Sequence, residues 1–220
     1  TPLYSSAASD VYKRQDTDMG RDTADMEQER AKELGIQILS VDFFKHGQTD
    51  FTSVLTRIKG LNPDAVFTAN DPSEIALIKK QMVELGMTQH HLDIGGSAAT
   101  DEFIKIAGAA AEGSYDVGWW APGIPTPEYK QFDAAYRKMF GKDMTNAIVP
   151  LGYVCMKIGL EAIKRAGSDD PSKIRDALES IQMDTILGKA YFDDHNQGHL
   201  DVYMSVIKDG KVQFFASAPG

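Results

Sequence analysis

Residues 51–68 read FTSVLTRIKGLNPDAVFT, and this stretch decides the fold class. Phe51, Val54, Leu55 and Ile58 recur at i, i+3, i+4 and i+7, the spacing of one buried helix face. Gly60 and the Asn62-Pro63 pair stop that helix, because proline disfavours a helical conformation in the residue before it. The run Ala65-Val66-Phe67-Thr68 follows at once and is almost wholly apolar, as expected of a parallel strand covered by helices on both sides.

The same alternation extends in both directions. Upstream, a helix is predicted over 22–34 with Gly35 as its left-handed cap, then a strand over 36–44, rich in β-branched and aromatic residues. Downstream come a helix over 73–85 closed by Gly86, a strand over 92–95, a short helix over 100–107 capped by Thr100, and a strand over 113–119. His90-His91 is read as part of a polar connection. Strands separated by helices of about ten residues favour right-handed crossovers, so the fold class is α/β, an open parallel sheet with helices on both faces.

After Trp120 the pattern changes. The run Ala121-Pro122-Gly123-Ile124-Pro125-Thr126-Pro127 can continue neither helix nor strand and reads as a crossing between lobes. Helices are predicted over 127–140, 148–166 and 171–181, then a strand over 189–192 and a hairpin over 202–215 turning at Asp209-Gly210. This gives part of a second α/β lobe, divided as 121–188, helical, and 189–220, a strand and hairpin crossing between lobes. Residues 1–15 show neither periodicity nor the basic and apolar segments of an export signal, and are read as a non-native or unstructured tract outside the fold. Residues 16–120 then form a lobe lacking its first strand, which predicts poor stability for the chain alone.

Composition narrows the function. A formal net charge of -9 without a Lys/Arg cluster argues against nucleic-acid binding. The most apolar stretch, 148–163, is broken by Pro150, Lys157 and Glu161, so no membrane insertion is expected. The single cysteine, Cys155, excludes multi-cysteine zinc frameworks and is expected to be a buried small hydrophobe of its helix. Asp16, Asp18 and Glu27 fit calcium-loop positions, but Gly20 and Arg21 fall where a ligand and the essential glycine belong. His195 and His199 flank a turn rather than sharing a helix face. Neither a nucleophile elbow nor a phosphate-binding glycine loop is present, so no metal, cofactor or catalytic residue is assigned.

A set of short stretches in fixed order resembles the leucine/isoleucine/valine-binding family of periplasmic proteins, with the type I periplasmic binding fold. They are 16–21 (DTDMGR), 47–51 (GQTDF), 62–66 (NPDAV), 107–113 (AGAAAEG), 132–140 (FDAAYRKMF), 161–167 (EAIKRAG) and 188–198 (GKAYFDDHNQG). The resemblance covers 16–215. It implies a fragment truncated at its N-terminus from the substrate-binding component of an ABC-type importer, which is no enzyme. Such a protein captures a small polar solute, a branched-chain or related amino acid or an amide, by hinge closure and passes it to a membrane permease. The implied location is the periplasm, or a lipoprotein anchor outside the cytoplasmic membrane. A ligand-sensing regulatory domain of the same fold is the alternative, and an α/β enzyme a more distant one.

Ligands of open α/β sheets sit beyond the carboxyl ends of the strands, where backbone N–H groups are free. The candidate contacts are therefore Met19 after the first strand position, Asn70 and Asp71 after 65–68, and Ser97 and Ala98 after 92–95. Ser97 stands where the resemblance implies a glutamate, and Met19 where it implies an aromatic residue. Asp71 could supply a carboxylate for a ligand ammonium, or cap the following helix. Trp119, beside Trp120 at the crossing, and Ile148 complete the set. For these two, hinge or core packing is the competing role.

Overall fold

The computed structural model describes residues 9–15, 18–69 and 71–219, with side chains described at 21, 24–69 and 71–219. Its elements are β1 (Ser9–Gln15), α1 (Asp18–Glu33), β2 (Gln37–Phe44), α2 (Thr52–Leu61), β3 (Ala65–Ala69), α3 (Pro72–Glu84), β4 (His90–Ile94), α4 (Asp101–Ala107) and β5 (Tyr115–Gly118). They continue with α5 (Pro127–Phe140), α6 (Ile148–Ala166), α7 (Pro171–Glu179), β6 (Gln182–Thr185), β7 (Gly188–Phe192), β8 (Gly198–His199), β9 (Val202–Lys208) and β10 (Lys211–Ala218). A seven-stranded mixed sheet, ordered β10-β9-β5-β4-β3-β1-β2, is flanked by helices, and β6-β7-β8 form a smaller antiparallel sheet.

The chain divides into two compact units. One runs to Val117 and takes in Val206–Val212; the other comprises Gly118–Ser205 and Gln213–Gly220. The chain therefore passes between units three times, at 117/118, 205/206 and 212/213. The first passage lies just before Trp119-Trp120, and the other two fall inside β9 and β10.

In the first unit, β1 pairs in parallel with β2 on one side and β3 on the other, while β4 pairs with β3 and β5. Residues 1–15, expected outside the fold, thus contain a central strand at Ser9–Gln15, and the lobe does not lack one. A strand bonded along both edges is held by backbone N–H and C=O groups, which a polar sequence such as SDVYKRQ supplies as well as an apolar one. The helix predicted over 22–34 starts earlier, at Asp18, and His90-His91 belongs to β4 rather than to a connection.

Phe51, Leu55 and Ile58 of the predicted helix face are fully covered, and with Phe44, Val66, Ile78 and Met82 they form one core. Each such side chain contributes roughly 1.5–3 kcal/mol through removal from water. A second cluster joins Ile75 and Ala76 of α3 with Phe103 and Ala107 of α4 and Ile207 of β9. The β9–β10 turn falls at Asp209-Gly210, both at positive φ (53° and 68°), as the tight hairpin requires. Its two N–H groups donate to Glu112, Asp209 to Oε1 at 3.0 Å and Gly210 to Oε2 at 3.3 Å.

In the second unit, α5 is capped by Thr126, whose hydroxyl accepts from Tyr129 N–H at 3.3 Å, with Pro127 as the first helical residue. Its core gathers Trp120, Ile124, Tyr129, Val154, Ile186, Leu187 and Tyr203. Helix α6 buries Pro150, Val154 and Ala162 but leaves Tyr153, Met156, Leu160 and Ile163 exposed. Cys155, expected inside, is exposed as well. The helix is apolar around most of its girth, and among the described residues only one stripe of it is covered.

Candidate ligand-binding site

Parallel pairing puts the carboxyl ends of neighbouring strands on one edge. The registers Arg14↔Ala69, Thr68↔Asp93 and Ile94↔Val117 bring the ends of β1, β3, β4 and β5 together there. The segments that follow carry most of the predicted contacts. Met19 is in the first turn of α1, although its side chain lies outside the described residues, as does Asn70 altogether. Asp71 occupies the N-cap position of α3 with extended backbone (φ -67°, ψ 147°), yet its side chain makes no cap bond. It is 60% exposed, and its Oδ2 lies 3.7 Å from His46 Nδ1. The carboxylate is free to meet a cation arriving from solvent.

His46, just past β2, also stands 3.2 Å from Glu74 Oε1, the same oxygen that accepts Gly47 N–H at 2.9 Å. Glu74 is 4% exposed and clamps this turn. His46, Asp71 and Glu74 have ligand atoms within 4.8 Å of one another, a grouping not visible in sequence spacing.

The loop after β4 differs from expectation. Its N–H groups were predicted to be free, but Ser97 N–H and Ala98 N–H each donate to Asp93 Oδ2 at 3.0 Å, and Ala98 N–H also reaches Asp116 Oδ1 at 3.1 Å. Ala98 is fully buried, so it shapes the loop from beneath, while Ser97 is half-buried. Buried carboxylates outcompete a transient ligand for these donors because they are permanently at hand and otherwise unsatisfied.

Asp93 and Asp116 face each other across the β4–β5 register and are 0% and 1% exposed. Burial pushes Asp93 up to about 6, against the hydrogen bonds from Asp116, Ala98, Thr68 and Ser97. Asp116 is raised well above the usual carboxylate range, first by burial, then by the Asp93 charge and the bond between them. Thr68 Oγ1 donates to Asp93 Oδ1 at 3.1 Å and lies 3.1 Å from His91 Nε2, which fixes His91 as the Nε2–H tautomer. Burial, with the Lys79 charge second, pulls His91 down to about 3, so it stays neutral. Its ring stacks on Phe103 with centroids 6.0 Å apart and planes 2° from parallel.

Sequence reasoning passed over this network. The available clue was an acid in the middle of each of two short apolar strands, Leu92-Asp93-Ile94 and Tyr115-Asp116-Val117.

The remaining two predicted contacts belong to the second unit. Trp119 is 49% exposed, whereas Trp120 is 3% exposed and donates from Nε1 to Tyr129 OH at 2.7 Å. Both follow the end of β5, and here one ring is committed to the core while the other is available. Ile148 opens α6 and is 76% exposed. The second unit also holds a cavity of about 600 Å³, lined by Phe132, Tyr136 and Phe140 of α5, Tyr153 of α6, and Met183 and Ile186.

Strands β1 to β5 pair in parallel with their loops gathered at the carboxyl edge, in a chain that passes three times between two units. The chain belongs to the periplasmic binding protein family, whose sequence profile matches residues 11–211. It is 26% identical over 192 residues to Leu/Ile/Val-binding protein homolog 1 of Brucella suis biovar 1 (strain 1330), covering 86% of this chain and 50% of that protein. The crystal structure of the leucine-binding protein LivK from Thermotoga maritima MSB8 is 30% identical, with a TM-score of 0.85 over 96% of this chain and 61% of that one. The closed leucine-, isoleucine-, valine-, threonine- and alanine-binding protein of Brucella ovis shares the fold at 20% identity and a TM-score of 0.87, over 96% of this chain and 58% of that one. The chain spans about half the length of the curated relatives it matches. Among the described residues no helix is long and apolar enough to cross a membrane.

Proposed function

We propose that this chain is part of the substrate-binding component of an ABC-type importer, taking up a branched-chain or related amino acid, or an amide, outside the cytoplasmic membrane. The single observation that carries the reading is the shared carboxyl edge of β1, β3, β4 and β5, from which Asp71 and the Ser97 loop project. Asp71 pairs with the ligand ammonium, and Ser97 offers its hydroxyl to a polar end. Ala98, buried beneath, supports the loop. Closure of two lobes about the three passages traps the solute, and the loaded form docks on a permease.

In this reading the helical second unit is part of a lobe whose remaining layer lies outside residues 1–220. The uncovered face of α6 supports this, since Met156, Leu160 and Ile163 are 64%, 56% and 47% exposed on one helix. The cavity shares Tyr153 with that face, and its apolar lining suits packing side chains better than a zwitterion.

Calorimetric titration of the full gene product with L-leucine, L-isoleucine, L-valine, L-phenylalanine, benzoate and a short amide tests the function. One ligand binding at micromolar strength, and weakened tenfold or more by Asp71→Ala, is the expected result. Failure of the whole panel, or tight binding untouched by Asp71→Ala, overturns the assignment of this edge.

A further inference from the structure

The loop at 95–100 is anchored from below by two acids rather than by a ligand. Asp93 Oδ2 accepts from two successive N–H groups, Ser97 and Ala98, and Asp116 Oδ1 takes a share of the second. Asp116 Oδ2, by contrast, is buried and finds no donor. Two ionised carboxylates held side by side in a core repel each other and leave that oxygen unsatisfied, so one proton shared between them removes both penalties at once. Asp93 is the member that must stay ionised, because three donors converge on it: Ser97 N–H, Ala98 N–H and Thr68 Oγ1.

We propose that Asp93 and Asp116 act as one proton-sharing pair, Asp93 the carboxylate and Asp116 the acid, that positions the 95–100 loop for ligand binding without touching the ligand. The proposal rests on the reading that this loop faces the solute. Two further titratable groups are built into the same core. His91 of β4 reaches Asp93 through Thr68 of β3, and Lys79 of α3, 8% exposed, places its charge toward His91.

The two acids make opposite predictions. An asparagine at 116 reproduces a protonated acid, with an NH₂ for Asp93 and an oxygen for Ala98 N–H. An asparagine at 93 removes the charge that three donors require. Hydrogen exchange of the Ser97 and Ala98 amides in the full gene product, without ligand and from pH 5 to 9, reads the difference directly. Wild-type protection falls as the shared proton is lost at high pH. Asp116→Asn retains protection within about twofold of the wild type's low-pH value and loses the pH dependence, while Asp93→Asn loses tenfold or more. Equal effects of the two variants, or a larger loss in Asp116→Asn, overturn the proposal. Should Asp93→Asn not fold, the Asp116→Asn profile decides alone, and a retained pH dependence of the wild-type kind sinks it.

L-leucine titration of the same proteins then separates the two readings. Weakening by tenfold in Asp93→Asn against little change in Asp116→Asn supports positioning, and equal affinity in both overturns it. If the wild type binds none of the panel while the exchange pattern holds, the ligand assignment fails and the anchoring pair stands.

Discussion

In the first unit, Thr68, His91, Asp93 and Asp116 are each 1% exposed or less, so polar groups fill part of the core. In the second, α6 holds Met156 at 64% and Leu160 at 56% exposure, so apolar groups line part of the outside. Each arrangement reverses the usual distribution, and the reasons differ. Buried polar groups persist where most donors and acceptors are matched, because an unmatched one costs about 1–3 kcal/mol; in this network Asp116 Oδ2 and His91 Nδ1 are the exceptions. Exposed apolar rows on one helix face mark a layer still to be covered. The first unit builds a polar network beneath its loops, and the second presents an exposed apolar helix face.

The sharpest way to break this contrast is at Phe103, fully buried between α4 and the His91 ring. Phe103→Ala is expected to cost about 3–5 kcal/mol in urea unfolding. A loss below about 1 kcal/mol would mean that the first unit's core is not packed as described. Next is Gly188, at φ +84°, where an added Cβ would run into the Asp201 side chain. Gly188→Ala should lower stability by about 2 kcal/mol or more through backbone strain and overlap together. A variant as stable as wild type would show that the turn between β6 and β7 is looser than the contact implies.

The pH dependence of stability divides along the same network. The folded Asp93–Asp116 pair holds a proton that the unfolded chain has released above 3.8, so its contribution is complete below that value and is lost as pH rises through about 6 and beyond. His91 is opposite in sign. Its value falls from 6.5 to about 3, so its contribution is complete above 6.5 and is lost as pH drops toward 3. Asp116→Asn removes the acid-pair slope and should gain on wild type as pH rises above 4, by up to about 1.4 kcal/mol per unit. Urea melts from pH 4 to 8 check this, and parallel profiles would contradict it.

Smaller still is the cap of α5. Thr126→Ala should cost about 1 kcal/mol by leaving Tyr129 N–H without its acceptor. Leu160→Ala on α6 closes the series, with a change within about 0.5 kcal/mol for this chain alone. In the full gene product, where the proposed lobe would cover this face, the same substitution should cost about 2–5 kcal/mol. Equal, small effects in both would mean that nothing packs there.

Periodicity made the first unit legible: Phe51, Leu55 and Ile58 are buried as their spacing required, and the doubly covered Val66 follows from a run without polar interruption. The hairpin turn was readable because Asp209-Gly210 suits the positive φ its geometry needs. Elements defined by their partners were not readable. Strand β1 depends on open edges at β2 and β3, which its own residues do not announce. His91 looks polar in sequence and is buried only because β4 extends between β3 and β5. The site was legible as a set of strand ends but not as chemistry. The spacing of Asp93 and Asp116 along the chain says nothing of a shared register, and free loop amides were expected where these acids had already taken them. Cys155 was misjudged because an apolar stripe reveals a capacity for contact, not whether its partner is present.

The grip of Glu112 on the hairpin tip at Asp209 and Gly210 has a consequence for synthesis on the ribosome. The nascent chain emits the outer partner of β5 only after the whole of 118–205 has been translated, several seconds later at ordinary elongation rates. Until then one flank of the newborn sheet stays open to whatever strand drifts past, a hazard for any unpaired edge. Excising residues 9–117 as a stand-alone fragment would make that temporary exposure permanent, whereas grafting 206–212 back through a short linker would close it.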